Sequence, residues 1–186
     1  MSRRKLRRPL VAALALLALV AIAVPAIAGA PKAPSRATQV AVGGVKFVPN
    51  RSIADTMHFK KDEIDVRKGG KIVISDKTRQ AHSFSVVTKK QVPKKARQVD
   101  ACFEGGVCGE LAVKHGAIDP NTGEEQEPTT PLVNAGKAGF NQPGDSVLIP
   151  PRDKVTVDVT GGKDMYYICA IHPWMLGKID VPPLSR

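Results

Sequence analysis

From Lys46 onward the apolar positions fall in short runs, and none keeps a helical period for a useful length. Val155, Val157 and Val159 alternate with Thr156, Asp158 and Thr160, which predicts a half-buried strand. Ser83 to Thr88 alternates in the same way, with Phe84 and Val86 on one face. Ile64 to Val66, Lys71 to Ser75, Met165 to Cys169 and Lys178 to Val181 predict further strands, and Phe47 and Phe59 open short apolar segments. Lys68-Gly69-Gly70 and Gly161-Gly162 mark turns. Short β-segments divided by Gly and Pro predict an all-β sandwich or barrel.

Two regions break this pattern. Met1 to Arg8 carries five basic residues and no acid, Leu10 to Val24 is almost wholly apolar, and Ala26-Ile27-Ala28 is a small-x-small cleavage pattern. Residues 1–28 therefore read as a signal peptide, with an uncleaved N-terminal membrane anchor as the other reading. Either way the remainder lies outside the cytoplasm: periplasmic, at the cell surface or secreted. Residues 29–45, small, polar and punctuated by Pro and Gly, read as a flexible tether. Within the β domain at 46–182, residues 89–144 hold two Cys, many charges and Pro-rich stretches. They read as a long insertion, a loop excursion with one or two short helices. Gln98 to Lys114 is the best helical candidate, interrupted at Gly105-Gly106.

The formal charge of +11 owes five units to the N-terminal segment; without it, 23 Lys and Arg face 17 acids. The excess is modest and the mature chain is poor in aromatic residues, which argues against nucleic-acid binding. Lys89, Lys90, Lys94, Lys95 and Arg97 form a basic run. It reads as a solvated edge or as a surface that steers an acidic partner.

The chemistry concentrates in Cys169-Ala170-Ile171-His172-Pro173-Trp174-Met175. A strand delivers Cys169, and His172 and Met175 follow at three-residue steps. Pro173 bars a helix interior, so the segment is a tight loop able to curl three side chains around one point. A thiolate, an imidazole and a thioether in so short a span suit copper. One more imidazole completes a trigonal His, His, Cys site with a weak axial Met, and His82, heading the strand at Ser83 to Thr88, is the candidate.

The pattern Cys-x-x-His-Pro-x-Met-x-Gly-Lys, from Cys169 to Lys178, resembles the amicyanin-like copper loop of the cupredoxins, the plastocyanin/azurin-type blue copper proteins. Phe59, Ile64-Asp65-Val66, Lys68-Gly69-Gly70, Val73 and His82 resemble the family's first strands and first ligand. The resemblance covers roughly residues 46–88 and 145–182. It implies a Greek-key β-sandwich of about seven or eight strands with one copper ion (Cu2+/Cu+) at one end, held by His82, Cys169, His172 and Met175. It also implies a non-enzymatic carrier of single electrons between larger redox proteins, with His172 as electron port inside an apolar docking patch of Pro173, Trp174 and Leu176.

Two positions depart from the family. Ser83 stands where Asn usually ties the two ligand loops together, and its hydroxyl is expected to make a similar bond. Ile171 stands where the amicyanin-like loop has Pro. Its retained N–H is expected to donate to the Cys169 sulfur and lower the reduction potential.

Cys102 and Cys108 form a close pair in an exported chain, which predicts a disulfide and leaves Cys169 as the odd thiol. The competing reading of that region is a second metal site using His115. Met57 and His58 read as ordinary strand residues. Copper storage or delivery without a redox circuit is the main rival function, although such proteins expose Met- and His-rich tracts and this chain has four of each. A multicopper oxidase or nitrite reductase needs further His residues, often paired as His-x-His, and no such pair occurs.

Overall fold

The structure, a computed structural model, describes residues 33–183. The signal peptide or anchor read over 1–28 lies outside the described residues. Among those described, no helix is long and apolar enough to cross a membrane.

Ten strands form two packed sheets. One has the order β10-β6-β1-β4, from Lys154–Val159, Gly70–Asp76, Arg36–Val42 and His58–Phe59. The other has the order β5-β12-β11-β7-β9-β8, from Glu63–Asp65, Leu176–Asp180, Met165–Ile168, His82–Val87, Ser146–Ile149 and Leu132–Val133. Consecutive strands switch sheets from β6 to β7, from β9 to β10 and from β10 to β11, as Greek-key connections do. The total exceeds seven or eight because β4 and β8 are two-residue edge segments. A separate hairpin, β2 (Val45–Val48) and β3 (Ser52–Asp55), pairs Phe47 with Ile53. These two side chains are 66% and 72% exposed, so the segment opened by Phe47 lies at the surface rather than in the core.

The segment read as a flexible tether holds a whole strand and the start of another. Arg36–Val42 is β1, parallel to β6 and antiparallel to β4. Its inward residues are Ala37, Gln39 and Ala41, too small and polar to register as a strand face. Gln39 is fully buried, yet its amide is satisfied: Nε2 donates to the Lys61 carbonyl and the Tyr167 hydroxyl, and Oε1 accepts the Lys61 N–H. Tertiary partners, not local apolar pattern, make this strand.

The core lies between the sheets. Tyr167 stacks on Phe84 with centroids 4.2 Å apart, and Phe59 meets both rings edge-on. Burying each such ring contributes about 2 kcal/mol. Along β11 the pleat sorts side chains strictly: Met165, Tyr167 and then Cys169 face this core, while Tyr166, Ile168 and then Ala170 face outward.

That outward face is covered by the insertion. Helices α1 (Ala96–Phe103) and α2 (Val107–Lys114) are joined by a Cys102–Cys108 disulfide and break at Gly105-Gly106, as the sequence suggested. Gly105 takes φ +75°, and a Cβ on Gly106 would stand 2.4 Å from the Ala101 carbonyl oxygen. Cys102, Val107, Cys108 and Leu111 pack with Val87, Ile168 and Ala170. The insertion is more than a loop excursion, since it supplies edge strand β8 against β9. It also sends Phe140 into the main core, stacked on Phe84.

Candidate metal centre

Strand β7 begins with His82, and antiparallel β11 ends one residue before Cys169, so both reach the same end of the sandwich. The loop that follows is closed by two backbone bonds, Met175 N–H to the His172 carbonyl and Cys169 N–H to the Met175 carbonyl, each 2.8 Å. Trp174 Nε1 donates to the Met57 carbonyl at 3.2 Å and pins the loop to the approach of β4. Ser83 makes the bond expected of it: its Oγ accepts the Ala170 N–H at 2.7 Å, linking the two candidate ligand segments.

His82, Cys169 and His172 converge on one point. Cys169 Sγ lies 3.7 Å from Nδ1 of each histidine, and the two Nδ1 atoms are 3.1 Å apart. A triangle with those edges has its centre about 2.0 Å from each corner, the length of a metal–nitrogen bond. The outer hydrogen bonds fix the tautomers. Thr78 Oγ1 gives its proton to the Gln80 carbonyl, so it accepts from His82 Nε2 at 2.9 Å. Gln80 Oε1 likewise accepts from His172 Nε2 at 3.0 Å. Both Nδ1 lone pairs therefore face each other and the sulfur. Two lone pairs at 3.1 Å repel unless a cation lies between them, so the donor set fits a bound metal ion.

The electrostatics agree. Burial pushes the His82 and His172 rings below the ordinary histidine value, and the Asp76 and Asp55 carboxylates only partly oppose this. Neutral imidazoles are the form a metal takes. Complete burial raises the Cys169 thiol, while backbone N–H groups of Ser83, His172 and Ile171 act the other way; the Ser83 N–H stands 3.2 Å from Sγ. Asp76 is fully buried 3.8 Å from His82 Nε2, and its Oδ2 has no hydrogen-bond partner. Such a carboxylate beside neutral donors suits a positive charge at their centre.

Met175 is fully buried in the same core cluster as Cys169. The expected apolar patch is redistributed. Pro173 is buried and Leu176 half-buried, because the loop turns inward there, whereas Ile171 and Trp174 are 41% and 42% exposed. His172 is 7% exposed and meets the Trp174 ring edge-on at 5.3 Å. His115 is not part of a metal cluster. Its Nδ1 bonds the Thr130 carbonyl and its Nε2 the Ser146 hydroxyl, and Cys102 and Cys108 are joined to each other. Sequence reasoning missed Asp76, Thr78 and Gln80. Their signal was a polar run directly before the first candidate ligand.

No family model matches the chain, and no curated protein matches it. The chain is similar to solved cupredoxins. The purple cupredoxin of Nitrosopumilus maritimus is 11% identical, with 77% of this chain and 97% of that one covered and a TM-score of 0.37. Auracyanin A, a "blue" copper protein from the green thermophilic photosynthetic bacterium Chloroflexus aurantiacus, is 17% identical, with 67% and 88% covered and a TM-score of 0.35. The blue copper oxidase of Nitrosomonas europaea is 13% identical, with a TM-score of 0.34; the match covers 80% of this chain and spans 39% of that longer one.

Proposed function

We propose that this chain is an extracytoplasmic cupredoxin that carries single electrons through one type 1 copper ion. His82, Cys169 and His172 are its in-plane ligands and Met175 its weak axial ligand. The reading rests above all on the triangle of His82 Nδ1, Cys169 Sγ and His172 Nδ1, whose centre is spaced for a metal ion. Copper, when bound, supplies a one-electron couple with strong thiolate character. The chain does the rest. The β7 and β11 ends, the closed 169–175 loop and the Thr78 and Gln80 acceptors hold the donors in one arrangement, so little reorganisation accompanies a change of charge. The same burial argues against copper delivery, which calls for accessible donors.

Electrons pass at the edge formed by His172 and Trp174. Beside Trp174 lies a groove of about 500 Å³, floored by Val99 and Leu176 and rimmed by Lys94 and Lys95. Asp100 also lines the groove, so its charge is net positive by one, and the nearby sequence adds Lys89, Lys90 and Arg97; we take the partner to be an acidic redox protein that docks against this side. Film voltammetry of the copper-loaded protein tests the reading: a reversible one-electron wave is expected. A protein that binds copper but shows no reversible couple contradicts it.

A further inference from the structure

We infer that His115, a residue of the insertion, is a positioning residue for the metal centre and acts on the Cys169 segment through a buried chain of three serine hydroxyls. The chain runs from His115 Nε2 to Ser146 Oγ at 2.8 Å, to Ser85 Oγ at 2.6 Å, to Ser83 Oγ at 2.9 Å, and ends on the Ala170 N–H at 2.7 Å. His115 is 2% exposed, Ser83 1%, and Ser85 and Ser146 are fully buried, so water does not complete these bonds. The chain crosses the fold from the end of α2, through β9 and β7, to the ligand loop.

Its polarity has one solution. The Thr130 carbonyl can only accept, so His115 Nδ1, 2.6 Å away, carries a proton. Burial pushes the ring below its ordinary value, which leaves it neutral and Nε2 an acceptor. Ser146 must then give its single proton to His115, Ser85 its proton to Ser146, and Ser83 its proton to Ser85. Ser83 Oγ is left to accept from Ala170. The ring in the insertion thus sets the direction of every hydroxyl up to the residue beside Cys169.

Ser83 is the joint between this chain and the donors. Its N–H donates to Cys169 Sγ, and it directly follows His82. The inner face of β7 carries Phe84 and Val86, while its outer face carries Ser83 and Ser85 under the insertion. Apolar residues of similar shape would bury there without the need for a partner. The hydroxyls hold the spacing of β7 from the Cys169 segment, and with it the His82–Cys169 separation.

The chain is broken in the middle by Ser146→Ala, and Ser146→Thr retains the hydroxyl. In the metal-free protein, Ser146→Ala leaves the Ala170 bond to Ser83 in place but unsupported, and is expected to speed amide exchange at Ala170 severalfold, up to the about fivefold that loss of one hydrogen bond would give, relative to Ile74 in β6 as a control for global opening. In the copper-loaded protein it is expected to change the copper hyperfine splitting and the midpoint potential, and Ser146→Thr to restore both. Ser85→Ala makes the same break should Ser146→Ala fail to fold. Equal acceleration at Ala170 and Ile74, with wild-type copper spectrum and potential, overturns the inference and leaves the chain a support for the insertion alone. The inference builds on the copper reading only in its spectroscopic arm. A wild-type protein that takes up no copper defeats that reading, and the Ala170 exchange then decides this one.

Discussion

The backbone N–H of Ser83 donates to the sulfur of Cys169 across 3.2 Å, while the Ser83 hydroxyl accepts from Ala170, the very next residue. One residue on the first ligand strand thus grips the second ligand segment twice. The N–H groups of His172 and Ile171 also favour the thiolate, against the burial that raises the thiol. Donors to a thiolate draw charge from it and favour the electron-rich reduced state, so they raise the potential. This reverses the sign expected from the sequence. Ile171→Pro, at an exposed position, is predicted to lower the midpoint potential measured by voltammetry. A raised potential would refute the role given to this N–H.

Met175 is fully buried at the end of the ligand loop. In its proposed role of weak axial donor it would favour the oxidised ion, so Met175→Leu, of similar volume, is predicted to keep copper bound and shift the potential upward. Copper titration and voltammetry of the variant read both effects.

Gly177 follows the loop where backbone and ring approach closely. A Cβ there would stand 2.3 Å from the Tyr167 hydroxyl oxygen and 2.7 Å from the Asp62 carbonyl oxygen. Gly177→Ala is predicted to cost about 1–3 kcal/mol in denaturant unfolding, the usual range for overpacking, without removing any donor.

Three buried histidines set the acid response of the metal-free protein. Burial pushes His82, His115 and His172 below the ordinary value of 6.5. Below about pH 6.5 the unfolded chain therefore binds more protons than the folded one, and stability falls as pH falls. The urea midpoint is predicted to decline from pH 7 toward pH 5. His115→Gln is predicted to flatten the decline, because one of the three contributions is gone.

The strands were legible where apolar residues alternate: β10 and β7 stand out because Val157 and Phe84 alternate with polar positions, whereas β11, apolar on both faces, reads only as a short apolar run. β1 was not legible, since Ala37 and Ala41 are small and Gln39 is buried only because Lys61 and Tyr167 satisfy it. β8 and the core role of Phe140 were hidden in a polar insertion, where single residues contact the sheet without a periodic pattern. The short loop from Cys169 to Met175 announced itself by residue type and spacing. The acceptors that orient the two rings, Thr78 and Gln80, did not, because an outer hydrogen bond needs only a polar atom in the right place.

The visible and electron paramagnetic resonance spectra of the purified protein with one equivalent of copper(II), beside Cys169→Ser, test the central claim most directly. The account predicts an intense thiolate-to-copper charge-transfer band with a small copper hyperfine splitting, both lost on replacing the sulfur. Copper bound without that band, or a band that survives Cys169→Ser, would contradict it.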